Sequence, residues 1–242
     1  MKLPIPIRVH GAAARCAPLE FHSSAGKDIS GDAQPRTNRT SQRPAWIVLA
    51  ACMLLAACSI TRESPVKQTY LIEPALPSPV AKTQPVSVRV SAVNVAAPYR
   101  GRNFVVRTGD LAYVTDFYDE YLVPPSAMLA EQTARALQNA KSFALVLPPA
   151  ANADADYVLE GFVSMLYGDN RAGNRPAAEV TVQYYLTSSS GSVPMWTHEY
   201  HRRIEATAAT AQAYSEAVNT AVSEILAELV RDLAALDLKK PS

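Results

Sequence analysis

Tyr214-Ser215-Glu216-Ala217-Val218-Asn219-Thr220-Ala221-Val222-Ser223-Glu224-Ile225-Leu226-Ala227-Glu228-Leu229-Val230-Arg231-Asp232-Leu233 is the most regular stretch of the chain. Its apolar residues (Tyr214, Ala217, Val218, Ala221, Val222, Ile225, Leu226, Leu229, Val230 and Leu233) recur at steps of three and four, with charged side chains between them. That period predicts an amphipathic helix over about residues 210–235. Its apolar stripe has to be buried against another layer, and the alternating segments upstream identify that layer as a sheet.

Val86, Val88, Val90 and Ala92 alternate with Ser87, Arg89 and Ser91, the period-two pattern of a half-buried strand. Ala97-Pro98-Tyr99-Arg100-Gly101 breaks it. Phe104–Arg107 and Leu111–Val114 flank Thr108-Gly109-Asp110 and read as a hairpin. Pro124-Pro125-Ser126 opens a helix that runs to about Lys141, with Ser126 as its cap and Met128, Leu129, Ala130, Ala134, Leu137 and Ala140 as its stripe. Phe143–Leu147 is a short buried strand stopped by Pro148-Pro149, and Tyr157–Tyr167 is a long one broken at Gly161. Glu179–Thr187 and Met195–Glu205 continue the sheet on either side of the Ser188-Ser189-Ser190-Gly191 turn. The expected fold is α+β and two-layered. A mostly antiparallel sheet of about six strands is covered by two helices, in the order β-β-β-α-β-β-β-β-α.

The N-terminal part is of another kind. Thirteen apolar residues, 45–57, follow Arg36, Arg39 and Arg43 and read as the h-region of an export signal. The run is short of the roughly 20 residues that a membrane span needs. Leu55-Ala56-Ala57-Cys58 resembles the bacterial lipobox, which implies lipidation of the Cys58 thiol, cleavage before it and a triacylated mature terminus. Ser59 follows the cysteine, and the sorting rule of enterobacterial lipoproteins then implies the outer membrane. The expected organisation is an extension at 1–44, read as a disordered n-region or a start assigned too far upstream. After it come a cleaved h-region at 45–57, the lipidated cysteine with a Pro-rich tether at 58–84, and a domain at 85–238. Within the tether, Thr69-Tyr70-Leu71-Ile72 is β-prone and suits a sheet edge.

The whole chain carries 23 Lys plus Arg and 22 Asp plus Glu; 7 and 3 of these precede Cys58, leaving 16 against 19. A mature part that is slightly acidic argues against a nucleic-acid binder. Cys16 and Cys52 leave with the signal and Cys58 is lipidated, so no thiol remains for metal or catalysis. His198 and His201 stand three apart on one strand and face opposite sides, which excludes a joint metal site there. His198-Glu199 lacks the second histidine of a zincin helix, and Gly161-Phe162-Val163-Ser164-Met165 lacks the second glycine of a nucleophile elbow. Asp154 and Asp156 read as loop-ending residues. The expectation is a protein without catalytic residues, cofactor or metal.

Tyr113, Phe117, Tyr118 and Tyr121 crowd into the crossing from hairpin to helix. Alternation there buries Phe117 and exposes Tyr118, or the reverse. Tyr113, Tyr118, Tyr121 and Leu122 form the candidate partner surface, because tyrosines supply contact area at little entropic cost.

The run from Tyr99 to Leu137 carries a resemblance. Tyr99-Arg100-Gly101-Arg102, Val106-Arg107-Thr108-Gly109, Phe117-Tyr118-Asp119-Glu120-Tyr121, Pro125-Ser126 and Glu131-Gln132-Thr133 resemble the PqiC-like auxiliary lipoproteins of ABC-type transport systems. The lipobox, the Tyr70-Leu71 strand and the terminal amphipathic helix fall in the family's order. The resemblance implies a non-enzymatic lipoprotein on the periplasmic face of the outer membrane. Its implied partners are an MCE-domain periplasmic protein with an ABC permease and ATPase, which move lipids or other hydrophobic molecules between the membranes. A homo-oligomer is compatible with this role. Two other readings stay open: a lipid carrier with a cavity between the sheet and the helix at Leu226–Leu233, and an activator of an envelope enzyme such as a cell-wall synthase.

Overall fold

The alternation at Val86, Val88 and Val90 becomes strand β2 (Gln84–Val95), whose three valines are fully buried, in a computed structural model that describes residues 66–241. The extension 1–44, the h-region 45–57 and Cys58 lie outside the described residues.

Eight strands form one mixed sheet. Its centre is β6 (Tyr157–Asp169), which pairs antiparallel with β7 (Ala177–Ser188), and β7 in turn with β8 (Pro194–Glu205). On its other side β6 carries two strands in series. The first half holds β2 in parallel, from Val88 opposite Tyr157 to Val95 opposite Val163. The far end holds β3 (Asn103–Arg107), with Val106 opposite Gly168. Outside β2 lies β5 (Phe143–Leu147), parallel to it. Outside β3 lies β4 (Tyr113–Tyr121), antiparallel, with the short parallel strand β1 (Gln68–Tyr70) on its edge. The longest ladders are thus antiparallel, and the parallel pairings gather around β2 and β3.

Helices α1 (Pro125–Asn139) and α2 (Ala211–Ala235) cover one face, α1 over β2 and β5, α2 over β7 and β8. Ala178, Val180, Val182, Tyr184 and Leu186 of β7 turn to that face and are at most 2% exposed. Burial of each large apolar side chain contributes roughly 1.5–3 kcal/mol, so this layer carries most of the stabilisation. Two buried tyrosines inside it are paired, Tyr184 Oη donating to Thr133 Oγ1 at 2.9 Å and Tyr200 Oη to Asp232 Oδ2 at 2.7 Å, whereas Gln132 Oε1, Ser142 Oγ and Tyr214 Oη have no partner among the described residues. Burial pushes the Tyr184 hydroxyl up to about 12.

Two local expectations differ from what forms. Helix α1 is not capped by Ser126: Pro124 is the N-cap, without a side-chain bond, and Pro125 occupies the first turn, where its missing N–H costs nothing. Strand β6 is not broken at Gly161, which keeps its register opposite both Val93 and Tyr184. A Cβ there would lie 3.1 Å from Val93 and 3.2 Å from Tyr184, so the glycine serves close packing. The irregularity falls instead between Val163 and Met165, where Ser164 bulges. Helix α2 is capped by Thr210, whose Oγ1 accepts from Ala213 N–H.

The described part of the Pro-rich segment lies along the helices. Its prolines have no N–H to give, but its carbonyls are taken by helix side chains: Asn219 Nδ2 donates to Leu71 O, Ser223 Oγ to Ala75 O and Asn139 Nδ2 to Pro77 O. Ile72 is buried in the core. Gln84, wholly buried, ends the segment by donating to the Leu233 and Ala234 carbonyls at 3.0 and 3.1 Å. It thereby satisfies the last turn of α2, whose carbonyls have no partner within the helix.

Candidate docking surface

The outer strand of the β3–β4 hairpin is only partly covered. β1 pairs with β4 over 119–121 alone, which leaves 113–118 as a free edge. The register between β3 and β4 jumps from Val105 opposite Thr115 to Asn103 opposite Glu120. The extra residues form a bulge stabilised by Asp116, whose Oδ1 accepts from Tyr118 N–H at 2.8 Å and Asp119 N–H at 3.1 Å. Asn103 Nδ2 donates to Asp116 O at 2.8 Å and fastens the bulge to β3. An aspartate that binds amides two and three residues ahead is a standard turn device, and it turns both aromatic neighbours outward.

The structure divides the candidate residues. Tyr118 is 52% exposed, Leu122 47% and Tyr113 45%. Tyr113 leans edge-on against Tyr167 with ring centres 5.7 Å apart, beneath the Arg107 guanidinium at 5.8 Å. Tyr121, by contrast, is 4% exposed and stacks on Phe104 with ring centres 4.4 Å apart. It is a core residue, and burial holds its hydroxyl well above the usual tyrosine range. Phe117, not among the candidates, is 81% exposed, and Leu111 at the hairpin tip is 95% exposed. The signal for Phe117 is present in Asp116-Phe117-Tyr118-Asp119, where neither parity gives an apolar face. Cys58 lies outside the described residues.

Tyr118 also lines a surface groove of about 420 Å³ with Val66, Gln68, Tyr70, Asp116 and Asp119, closed on the far side by the start of α2. The chain therefore enters the domain beside the bulge.

Elsewhere the chemistry is structural. Asp169, fully buried, takes both Arg171 nitrogens at 2.9 Å and Arg203 Nη1 at 2.7 Å. The bonds from Arg171, then those from Arg203, hold its carboxyl far below the usual range. Arg203 also binds Glu179 at 2.6 Å. His201 bridges Thr181 Oγ1 at 2.8 Å and Glu179 Oε2 at 3.3 Å. The order Thr181–His201–Glu179 resembles a hydrolase relay only in outline, since Glu179 is already spent on Arg203 and Thr181 is buried in the sheet. His198 stacks between Trp196 and Tyr200, on the opposite face from His201. Two surface grooves, about 570 Å³ beside Pro148-Pro149 and about 710 Å³ between residues 76–82 and α2, lie outside the core. Ile225, Leu226, Leu229 and Leu233, where the carrier reading would put a cavity, are each 1% exposed or less. No described helix is long and apolar enough to cross a membrane.

A family model described as ABC-type transport auxiliary lipoprotein component matches residues 70–234. Among solved structures, the chain is similar to protein XCC0632 from Xanthomonas campestris, with 19% identity over 67% of this chain and 92% of that one and a TM-score of 0.61. It is also similar to an uncharacterized protein, with 13% identity over 69% of this chain and 99% of that one and a TM-score of 0.52. The PelC dodecamer from Paraburkholderia phytofirmans aligns at 17% identity over 63% and 93% of the two chains, with a TM-score of 0.35. No curated protein matches the sequence.

Proposed function

The chain belongs to the ABC-type transport auxiliary lipoprotein component family, and from that membership we propose that it is the outer-membrane docking element for the MCE-domain periplasmic protein of such a transporter. The family is one of non-enzymatic lipoproteins of the periplasm and outer membrane that accompany ABC-type transport systems. In this role the signal is cleaved before Cys58, the cysteine is lipidated, and seven residues, 59–65, link it to the described domain. At roughly 3.3–3.6 Å per extended residue, that link keeps the domain within about 30 Å of the bilayer. The permease and ATPase sit in the inner membrane, supply the energy, and move a lipid or another hydrophobic cargo.

The observation that carries the reading is the free edge with Phe117, Tyr118, Tyr113 and Leu122 beside the point where the chain enters the domain. Exposed aromatic side chains supply the kind of anchors that dominate protein interfaces. The test is capture from detergent-solubilised membranes with the full-length lipoprotein tagged after Ser242. Recovery of the MCE-domain protein together with permease and ATPase is expected. Recovery of a cell-wall synthase, or of bound lipid with no protein partner, would sink the docking role.

A further inference from the structure

The free edge of β4 has a definite hydrogen-bonding phase. Thr108 N–H donates to Ala112 O at 2.9 Å, and the pairs Arg107–Tyr113, Val106–Val114 and Val105–Thr115 follow in register. In an antiparallel ladder bonded and non-bonded pairs alternate, so Val114 turns its amide and carbonyl to β3 while Tyr113 and Thr115 turn theirs outward. Two amides and two carbonyls about 6.8 Å apart, the span of two extended residues, make a template for one more strand. β1 already uses the same edge further along, at 119–121. The opposite edge of the sheet, β8, is blunted by Pro194 and by the charged side chains of Glu199, Arg203 and Glu205.

Charge selects among the occupants of this template. Asp110 is almost wholly exposed, and its one cation among the described residues, Arg171, stands 4.0 Å away. Asp116 and Asp119 have no ion pair among the described residues. Of the nearby cations, Lys67 and Arg102 share Glu120, while Arg107 binds the Gly109 and Asp110 carbonyls and keeps its charge beside Tyr113. Asp110, Asp116, Asp119 and Glu120 stand against Lys67, Arg102 and Arg107, so the edge is acidic by one charge and is apolar at Leu111, Val114, Phe117 and Tyr118. Asp110, Asp116 and Asp119 favour a basic segment there over an anionic bilayer or a second copy of the same edge.

We infer that the Tyr113–Thr115 edge binds an extended segment of the partner protein, basic and apolar in alternation, by strand addition. This rests on the docking reading and names its mode. Main-chain bonds to Tyr113 and Thr115 supply affinity, and the aspartates with Phe117 and Tyr118 select the sequence.

Thr115→Pro separates the mode from the surface. It deletes an outward amide and places a ring on the edge, where proline is tolerated, and it leaves the Val106–Val114 bonds intact. Tagged wild type, Thr115→Pro, Asp110→Lys/Asp119→Lys and Phe117→Ala are compared for capture of the purified MCE-domain protein at low and high salt. Circular dichroism and thermal melts check the fold of each. Strand addition requires at least ten-fold weaker capture by Thr115→Pro with an unchanged melt, and loss of the salt dependence in the double lysine variant. Full capture by Thr115→Pro with loss in Phe117→Ala would leave docking standing and overturn strand addition. Absence of capture by the wild type would overturn both. A lipidated Phe117→Trp protein on phosphatidylethanolamine/phosphatidylglycerol vesicles gives the remaining outcome. Quenching of its fluorescence by brominated lipid without any partner would assign the edge to the membrane instead.

Discussion

Asp169 and Tyr121 show how much of a residue's role depends on its distant neighbours. Asp169 lies in the polar run 168–174, which reads as a loop in the chain, yet it is fully buried, and the β6–β7–β8 register brings Arg203 onto it. Its pKa is depressed in the folded state, so its contribution is complete above the unfolded value of about 3.9 and is lost as pH falls below it. Asp169→Asn should therefore lower stability at pH 7 and flatten its pH dependence below about pH 5, as read by urea melts from pH 7 to pH 3; a slope equal to wild type would show that Asp169 does not couple stability to pH. Tyr121 reads in the chain as a surface residue and lies in the core because Phe104, across the hairpin, supplies a ring to stack on. The exposure of Phe117 is created by the Asp116 turn, a hydrogen-bond pattern that alternation does not encode.

At the scale of elements, periodicity is a sufficient guide wherever one face of a strand or helix is buried. The alternating valines of β2 and the three-and-four spacing of α2 each place a stripe that has one low-energy orientation. Boundaries are legible only where proline or a cap marks them; the bulge at Ser164 shifts register without a compositional signal, and the one at 116–119 is marked only by Asp116. The contact between β6 and α2 is the tightest of these joints. A Cβ on Gly168 would come 2.9 Å from the Tyr214 ring, and the ring is itself held in the core. Gly168→Ala should cost about 1–3 kcal/mol, with a fall of roughly 2–4 °C in Tm per kcal/mol. Replacing Tyr214 by Leu in the same chain should recover part of that loss, a coupling that a double-mutant cycle measures. Strict additivity of the two changes would mean that the strand and helix do not press on each other there.

For the whole molecule, the two-layer arrangement follows from the chain's own pattern, since a sheet with one helix-covered face is the simplest way to bury those stripes. The strand order does not, because β2 and β3 lie in series along one side of β6 and no local signal distinguishes that from neighbouring hairpins. The function comes from the family and from what the fold leaves uncovered, not from a reactive group. In the docking role, the Phe117 edge meets the MCE-domain protein in the envelope. A photo-reactive amino acid at Phe117 in the lipidated protein, irradiated in living cells and compared with the same group at Ser190 in the β7–β8 turn, tests that contact where it forms. A cross-link to the MCE-domain protein is expected from Phe117 and none from Ser190. Cross-linking from Phe117 only to phospholipid, or to a cell-wall synthase, would contradict the docking role.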